Sequence, residues 1–235
     1  MILKDVKKLV VINAGHHNND SGHVTSNGVK ENEEVKKIRD ELLPLLRKNF
    51  QIVPIPDNLD IKQSCQLANL YLKTTKDGIA LDIHTNARAG ETQGTECYST
   101  GEKIERIISK TLTKHIAIKL GTFNRGWKDQ RDSWVKSLMF VNKINSYSPV
   151  LEVCYLDNKQ DRERLLNGGH KKVAEGINEA LLELWGINKS ESQEIAEIGV
   201  KLSYIAKVVA LLEKLIKGAK FGNFVAKIRG KSRNS

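Results

Sequence analysis

The stretch Leu9-Val10-Val11-Ile12-Asn13-Ala14-Gly15-His16 decides how the rest of the chain is read. A β-branched run that breaks into Asn-Ala-Gly predicts a buried strand delivering a loop, because continuous apolar runs of this length suit a sheet covered on both faces. The loop that follows, 15–30, is long and polar. Glu31 to Asn49 then carries Val35, Ile38, Leu42, Leu45 and Leu46 at helical spacing, and Gln51 to Ile55 reads as a second strand bounded by prolines.

The same alternation continues outward. Ile61 to Lys73 reads as a helix, Gly78 to His84 as an apolar strand, Gly94 to Ser99 as another strand and Ile104 to Leu120 as a helix. Within 121–148 only Val135 to Val141 looks strand-like. Pro149 to Tyr155 is an apolar strand interrupted by one acid, and Lys171 to Trp185 is helical. Strands alternating with helices of this length predict an α/β domain, about 1–186, with a mostly parallel twisted sheet and helices on both faces.

After Gly186 the pattern changes. Ser190-Glu191-Ser192-Gln193 reads as a helix start, and Ile195, Ile198, Leu202, Ile205, Val209, Leu212 and Ile216 form a heptad stripe. From Lys201 onward nine Lys or Arg stand against one acid, a net of +8 out of the chain's +10, so the first 200 residues are nearly balanced. The expectation for 187–235 is a basic amphipathic helical extension. It has three candidate roles: a homo-oligomer contact, docking on the first domain's own surface, or contact with anionic membrane or wall polymer.

Composition narrows the function classes. With 235 residues, 40% hydrophobic and 28% charged, the chain has a globular composition and room for one full domain plus an appendage. Three cysteines, Cys65, Cys97 and Cys154, share no repeated spacing and argue for reduced thiols. Aromatic residues are only 6% and the basic charge is confined to the tail, so no nucleic-acid partner is expected.

Three groups stand where an α/β sheet gathers ligands, at one rim of its strands. His16 follows the first strand, Glu31 opens the first helix and His84 ends a central strand. Two imidazoles and a carboxylate make a three-ligand zinc site with an open position. Singly, each has a plainer reading: a loop histidine, or an acid facing a helix dipole. Glu152, inside the apolar strand Val150-Leu151-Glu152-Val153-Cys154-Tyr155, must be paired, metal-linked or catalytic, or else sit at an edge in a salt bridge. It is the best candidate for a general base. His23 could assist substrate binding but reads more simply as a solvated loop residue, and His115 and His170 read as surface or capping residues. A Cys154 nucleophile lacks a companion His-plus-Asn signature.

These segments resemble the zinc-dependent N-acetylmuramoyl-L-alanine amidases of bacterial cell separation and phage endolysins. Val10 to His16 is similar to that family's first strand and Gly-His motif, Asn27-Gly28-Val29-Lys30-Glu31 to its Gly-x-x-Glu segment, and Leu81 to Ala87 to its S-I-H-A-N-A motif. Gly94 to Tyr98 matches the strand that follows. Arg125-Gly126-Trp127-Lys128 resembles its R-G-x-K turn, and Val150 to Asn158 its V-L-V-E-x-G-F-x-x-N segment. Order and spacing agree from about residue 8 to 185.

The resemblance implies His16, Glu31 and His84 as ligands of Zn²⁺ and Glu152 as the catalytic carboxylate. It also implies peptidoglycan as substrate, cut between N-acetylmuramic acid and L-alanine. Two departures stand out: His17-Asn18-Asn19 follows His16 where the family has glycines, and Cys154 replaces a common glycine. Alternation places Cys154 on the face of Glu152. The N-terminus has too short an apolar stretch for a secretory signal, and no run of about 18 apolar residues exists. The expectation is therefore a cytoplasmic protein released to the wall by other means, as an endolysin is. The alternative is a non-catalytic wall-binding or phage-tail-like assembly component on an amidase-like fold.

Overall fold

The computed structural model describes residues 2–88 and 91–187; the heptad stripe and basic tail lie outside the described residues. Thirteen elements follow in chain order: β1 (Leu9–Ala14), α1 (Glu31–Leu46), β2 (Gln51–Pro54), α2 (Ile61–Tyr71), β3 (Ile79–Asn86), β4 (Thr95–Ser99), α3 (Lys103–Leu120), β5 (Asn124–Asp129), a 3₁₀ turn (Gln130–Asp132), α4 (Met139–Lys143), β6 (Val150–Tyr155), α5 (Lys159–Leu166) and α6 (Gly169–Trp185). The six strands form one sheet in the order β2-β1-β3-β6-β4-β5. All neighbours run parallel except β4 against β6.

Alternation along the central strands sorts their side chains onto two layers. Val10, Ile12, Leu81, Ile83 and Leu151 pack with Val35, Ile38 and Leu42 of α1, Ile108, Leu112 and Ile116 of α3, and Ile177 and Leu181 of α6. The opposite set, Leu9, Val11, Ala80 and Val150, packs against Cys65, Ala68 and Leu72 of α2 and its extension and against Phe140, Val141 and Ile144. Each fully buried Leu, Ile or Phe contributes about 1.5–3 kcal/mol, so these two layers supply most of the driving force that orders the sheet.

Two sequence expectations are corrected and one strand goes unread in the sequence. Val135 to Val141 is not a strand: Leu138 donates its N–H to the Gln130 side chain at 3.1 Å, and α4 begins at Met139. Phe140, Val141 and Ile144 thus present a helical face, not an alternating one, to α2. β5 was not legible, because Asn124–Asp129 is a half-exposed polar edge strand with no apolar alternation. Finally, Cys154 does not share the face of Glu152. His84 pairs with Glu152 but Asn86 pairs with Tyr155, so β6 spends three residues where β3 spends two. This bulge turns Cys154 into the α1/α3/α6 layer beside Val153 and brings Tyr155 to the site face. Burial pushes the Cys154 thiol well above its ordinary range, and all three cysteines are buried and free.

One buried acid outside the site carries an unsatisfied oxygen among the described residues. Glu105 of α3 is 4% exposed, accepts the Ser148 N–H at 3.0 Å on Oε1 and leaves Oε2 without a hydrogen-bond partner among the described residues. Burial raises its pKa from 4.5 to about 7, with Glu102 adding to the rise. Between those two values the folded chain holds a proton that the unfolded chain has released, so stability falls as pH rises from about 4.5 to about 7 and levels off above. At about 1.4 kcal/mol per tenfold of proton affinity, ionised Glu105 costs about 3 kcal/mol. Glu105→Gln is therefore expected to raise the melting temperature at pH 8 relative to the parent and to lose that gain at pH 4.5. Calorimetric melting across this pH range checks it; a variant no more stable at pH 8 than at pH 4.5, each against the parent, contradicts it.

Candidate metal centre

β1, β3 and the start of α1 bring three donors to the carboxyl end of the sheet. Ligand atoms of His16, Glu31 and His84 all lie within 4.8 Å of one another. Glu31 is the hub: His16 Nε2 stands 3.0 Å from its Oε2 and His84 Nδ1 stands 3.1 Å from its Oε1. The His23 N–H also donates to Oε2 and the Thr85 N–H to Oε1, both at 3.0 Å. The two imidazoles meet edge to face with centroids 5.0 Å apart.

Each histidine's second nitrogen meets its own carboxylate. His16 Nδ1 is 2.8 Å from Asp20 Oδ2, and His84 Nε2 is 3.2 Å from Asp82 Oδ2. Asp82 is held in turn by Asn13, whose Nδ2 donates to Oδ1 at 2.7 Å. Carboxylates in this position set the tautomer and orientation of a metal-binding imidazole and raise its basicity. Neither acid was singled out from the sequence. The signals that could have found them are the i+4 offset of Asp20 from His16 and the strand offset of two between Asp82 and His84.

The backbone is shaped around this cluster. His16 adopts φ 67°, a left-handed conformation uncommon for a residue with a side chain, and such outliers concentrate at functional sites. Gly15 has no room for a side chain: a Cβ would stand 2.4 Å from His84 Cε1. Gly22, at φ +62°, would place a Cβ 2.5 Å from His16 Cδ2 and 2.6 Å from Glu31 Oε2. The unusual His17-Asn18-Asn19 segment is accommodated by the loop itself. The Asn18 N–H donates to Asp57 O at 2.8 Å, and Asn18 Oδ1 accepts from Lys36 Nζ at 2.9 Å.

Electrostatics divides the acids into two kinds. Burial alone would raise the pKa of Glu31, but hydrogen bonds from His16 and His84 and their charge hold it well below the usual carboxylate range. Burial works against protonation of His84, and the Asp82 and Glu31 carboxylates overcome it and raise its pKa. Glu152 behaves oppositely. Burial pushes its pKa up, Glu31, Glu96 and Asp82 add to the rise, and only His84 opposes it. Its Oε2 is buried and has no hydrogen-bond partner among the described residues.

Glu152 is the register partner of His84 on one side and of Glu96 on the other. Glu96 is fully engaged, accepting from Asn86, Tyr98 and Tyr155 and pairing with Arg125 at 2.6 Å. The unengaged carboxylate is therefore Glu152, and it lines the same cavity of about 550 Å³ as His16, Glu31 and His84. Two imidazoles, an ionised carboxylate, glycines that leave space only for those rings and an unsatisfied acid beside them fit a bound divalent ion.

The remaining histidines have structural partners. His23 Nε2 meets Asp157 at 2.7 Å, His115 Nε2 ties α3 to Glu183 of α6 at 2.6 Å, and His170 Nε2 ties α6 to Glu34 of α1 at 2.6 Å. His17 lines the cavity without joining the three-donor cluster.

Comparison with known proteins bears on this geometry. Residues 10–183 match the family model described as N-acetylmuramoyl-L-alanine amidase. No curated protein sequence matches the chain. Among solved structures, the chain is similar to the N-acetylmuramoyl-L-alanine amidase from Clostridium difficile 630, with 21% identity and a TM-score of 0.66 over 78% of this chain and 99% of that one. It is also similar to the catalytic domain of the amidase CwlV from Bacillus (Paenibacillus) polymyxa var. colistinus, at 24% identity and a TM-score of 0.65 over 77% and 99% of the two chains. The catalytic domain of the CD27L endolysin targeting Clostridia Difficile gives 20% identity and a TM-score of 0.54 over 75% and 97%. At these identities the likeness is one of fold.

Proposed function

Because the chain belongs to the N-acetylmuramoyl-L-alanine amidase family, we propose that it is a zinc-dependent hydrolase cutting the amide between N-acetylmuramic acid and the L-alanine of the peptidoglycan stem. The observation that carries the reading is the convergence of His16, Glu31 and His84 within 4.8 Å beside Glu152, whose buried Oε2 has no hydrogen-bond partner among the described residues. His16 through Nε2, His84 through Nδ1 and Glu31 would hold the ion, with Asp20 and Asp82 fixing the two rings. A zinc ion so held supplies Lewis acidity toward a carbonyl oxygen and makes water nucleophilic near neutral pH.

The chain's own part is proton transfer and positioning. Glu152, whose burial raises its proton affinity, acts from its ionised form: it takes a proton from the water that adds to the amide carbon and returns it to the departing alanine nitrogen. The C–N bond breaks, leaving a carboxylic acid on the muramoyl side and a free amine on the peptide. Glu31 stays ionised throughout because His16 and His84 hold its proton affinity down.

The endolysin-like role is part of the same proposal and is supported by the net charge of +10, which suits approach to anionic wall polymers. No helix among the described residues is long and apolar enough to cross a membrane. End-group analysis of digested walls tests the reaction: new amino-terminal alanine without new reducing sugar ends is the expected product, and new sugar ends alone would assign a different bond.

A further inference from the structure

The cavity that holds the candidate centre runs out to a rim where Trp134, Leu138 and Met139 line it. Trp134 stands on that rim with 96% of its surface exposed, beside exposed Val135 and Met139. Tryptophan is highly buried on average, so a bare indole opening onto a cavity is an informative exception.

The segment that carries it is tied down. Ser133 donates from its N–H and Oγ to Gln130 O at 3.1 and 2.6 Å, the Lys136 N–H donates to Ser133 O at 3.1 Å, and the Leu138 N–H donates to Gln130 Oε1 at 3.1 Å. Lys136 is held at φ 60°, a backbone conformation that a β-carbon disfavours. The turn is thus imposed by its hydrogen bonds, and the backbone that carries the indole is fixed in advance of any ligand.

The chemistry of the wall selects the occupant. Leu59, Ile61 and Leu138 give it an apolar surface, and away from the centre its one charged group among the described residues is Asp60. No Lys or Arg lines the cavity among the described residues. A stem peptide carries free carboxylates and would meet like charge there. A substituted N-acetylhexosamine strand is neutral and has flat C–H faces that match an aromatic ring.

We infer that Trp134 is the platform of a glycan subsite, holding the sugar strand against its indole while the muramoyl–alanine amide lies at Glu152. The inference rests on the amidase reading and names which arm of that substrate this side of the cavity takes.

The test compares the full-length protein with Trp134→Ala on soluble muramoyl dipeptides carrying one, two or four sugars, and on disaccharides carrying two or five stem residues. The loss in kcat/KM is expected to grow with sugar number to about tenfold or more, mainly through KM, and to ignore peptide length. Trp134→Tyr should recover most of it. A loss equal for all substrates, a loss that follows peptide length, or no loss overturns the subsite. Calorimetric binding of N-acetylglucosamine tetramer separates the two claims. Tetramer bound by the parent and not by Trp134→Ala, without turnover by either, would keep the subsite and sink the amidase reading. Turnover without tetramer binding would do the reverse.

Discussion

Glu152→Gln is expected to lower kcat on peptidoglycan by about 10²–10⁴-fold while leaving bound metal at the parent stoichiometry. The exchange removes the group that carries the proton and keeps the shape. It removes none of the three proposed donors, since Glu152 belongs to β6 whereas His16, Glu31 and His84 come from the β1 loop, α1 and β3. Because burial disfavours the Glu152 charge and its Oε2 is unpaired, the amide should also stabilise the fold modestly at neutral pH. A structural acid would give the opposite pair of results, with activity kept and the melting temperature lowered. Metal content, kcat and melting measured on one preparation distinguish the two outcomes.

His84→Ala carries the second large effect, and it falls on both metal and stability. His84 stands between two buried carboxylates, Glu31 at 3.1 Å and Asp82 at 3.2 Å. Removing it takes away a donor, leaves Asp82 without the imidazole it faces and leaves Glu31 with His16 alone. Loss of one partner from a buried charged cluster costs about 3–5 kcal/mol. Metal affinity should drop by more than the about 10–100-fold typical of losing an outer-shell partner. Competition against a chromophoric chelator, paired with a denaturant melt, reads both effects. Parent-like zinc affinity in a folded His84→Ala chain would remove His84 from the donor set.

The two variants differ in a way that the geometry dictates. Glu152 has a high proton affinity because it is withdrawn from water among other acids, whereas Glu31, also withdrawn from water, has a low one because two imidazoles point at it. In the proposed mechanism two carboxylates with unlike surroundings take different tasks, one to hold charge and one to exchange a proton.

Much of this was legible in the sequence where one physical rule dominates locally. β1, β3 and β6 are read as strands because sheets covered on both faces demand continuous apolar residues. α1 is read as a helix because Val35, Ile38, Leu42 and Leu46 recur on one face and are all fully buried. His16, Glu31 and His84 follow from their placement at the ends of those elements. What was missed depends on pairing rather than on local pattern. β5 is polar because only one of its edges is paired within the sheet. The short α4 borrows a side chain, Gln130, to bond the backbone at its start.

The bulge in β6 is a further case of the same kind. Period-two counting puts Cys154 beside Glu152, and only the register against β3 shows that it is Tyr155 that shares that face. Tyr155 then reaches Glu96 at 2.8 Å, helping to satisfy the acid next to Glu152 and leaving Glu152 as the open one. Asp20 and Asp82 were invisible for a related reason, since an acid beside a histidine acquires meaning only when both nitrogens of the ring are located.

The most direct test of the account removes the metal and returns it. Purified walls are incubated with the parent protein, with protein stripped by a chelator, and with stripped protein to which zinc is restored, and the soluble products are identified by mass. The account predicts free stem peptides beginning at alanine in the first and third samples and none in the second. Equal release of those peptides by stripped and restored protein would contradict a metal-dependent amidase. No release from several wall types by protein shown to hold zinc would instead point to a wall-binding or assembly component on this fold.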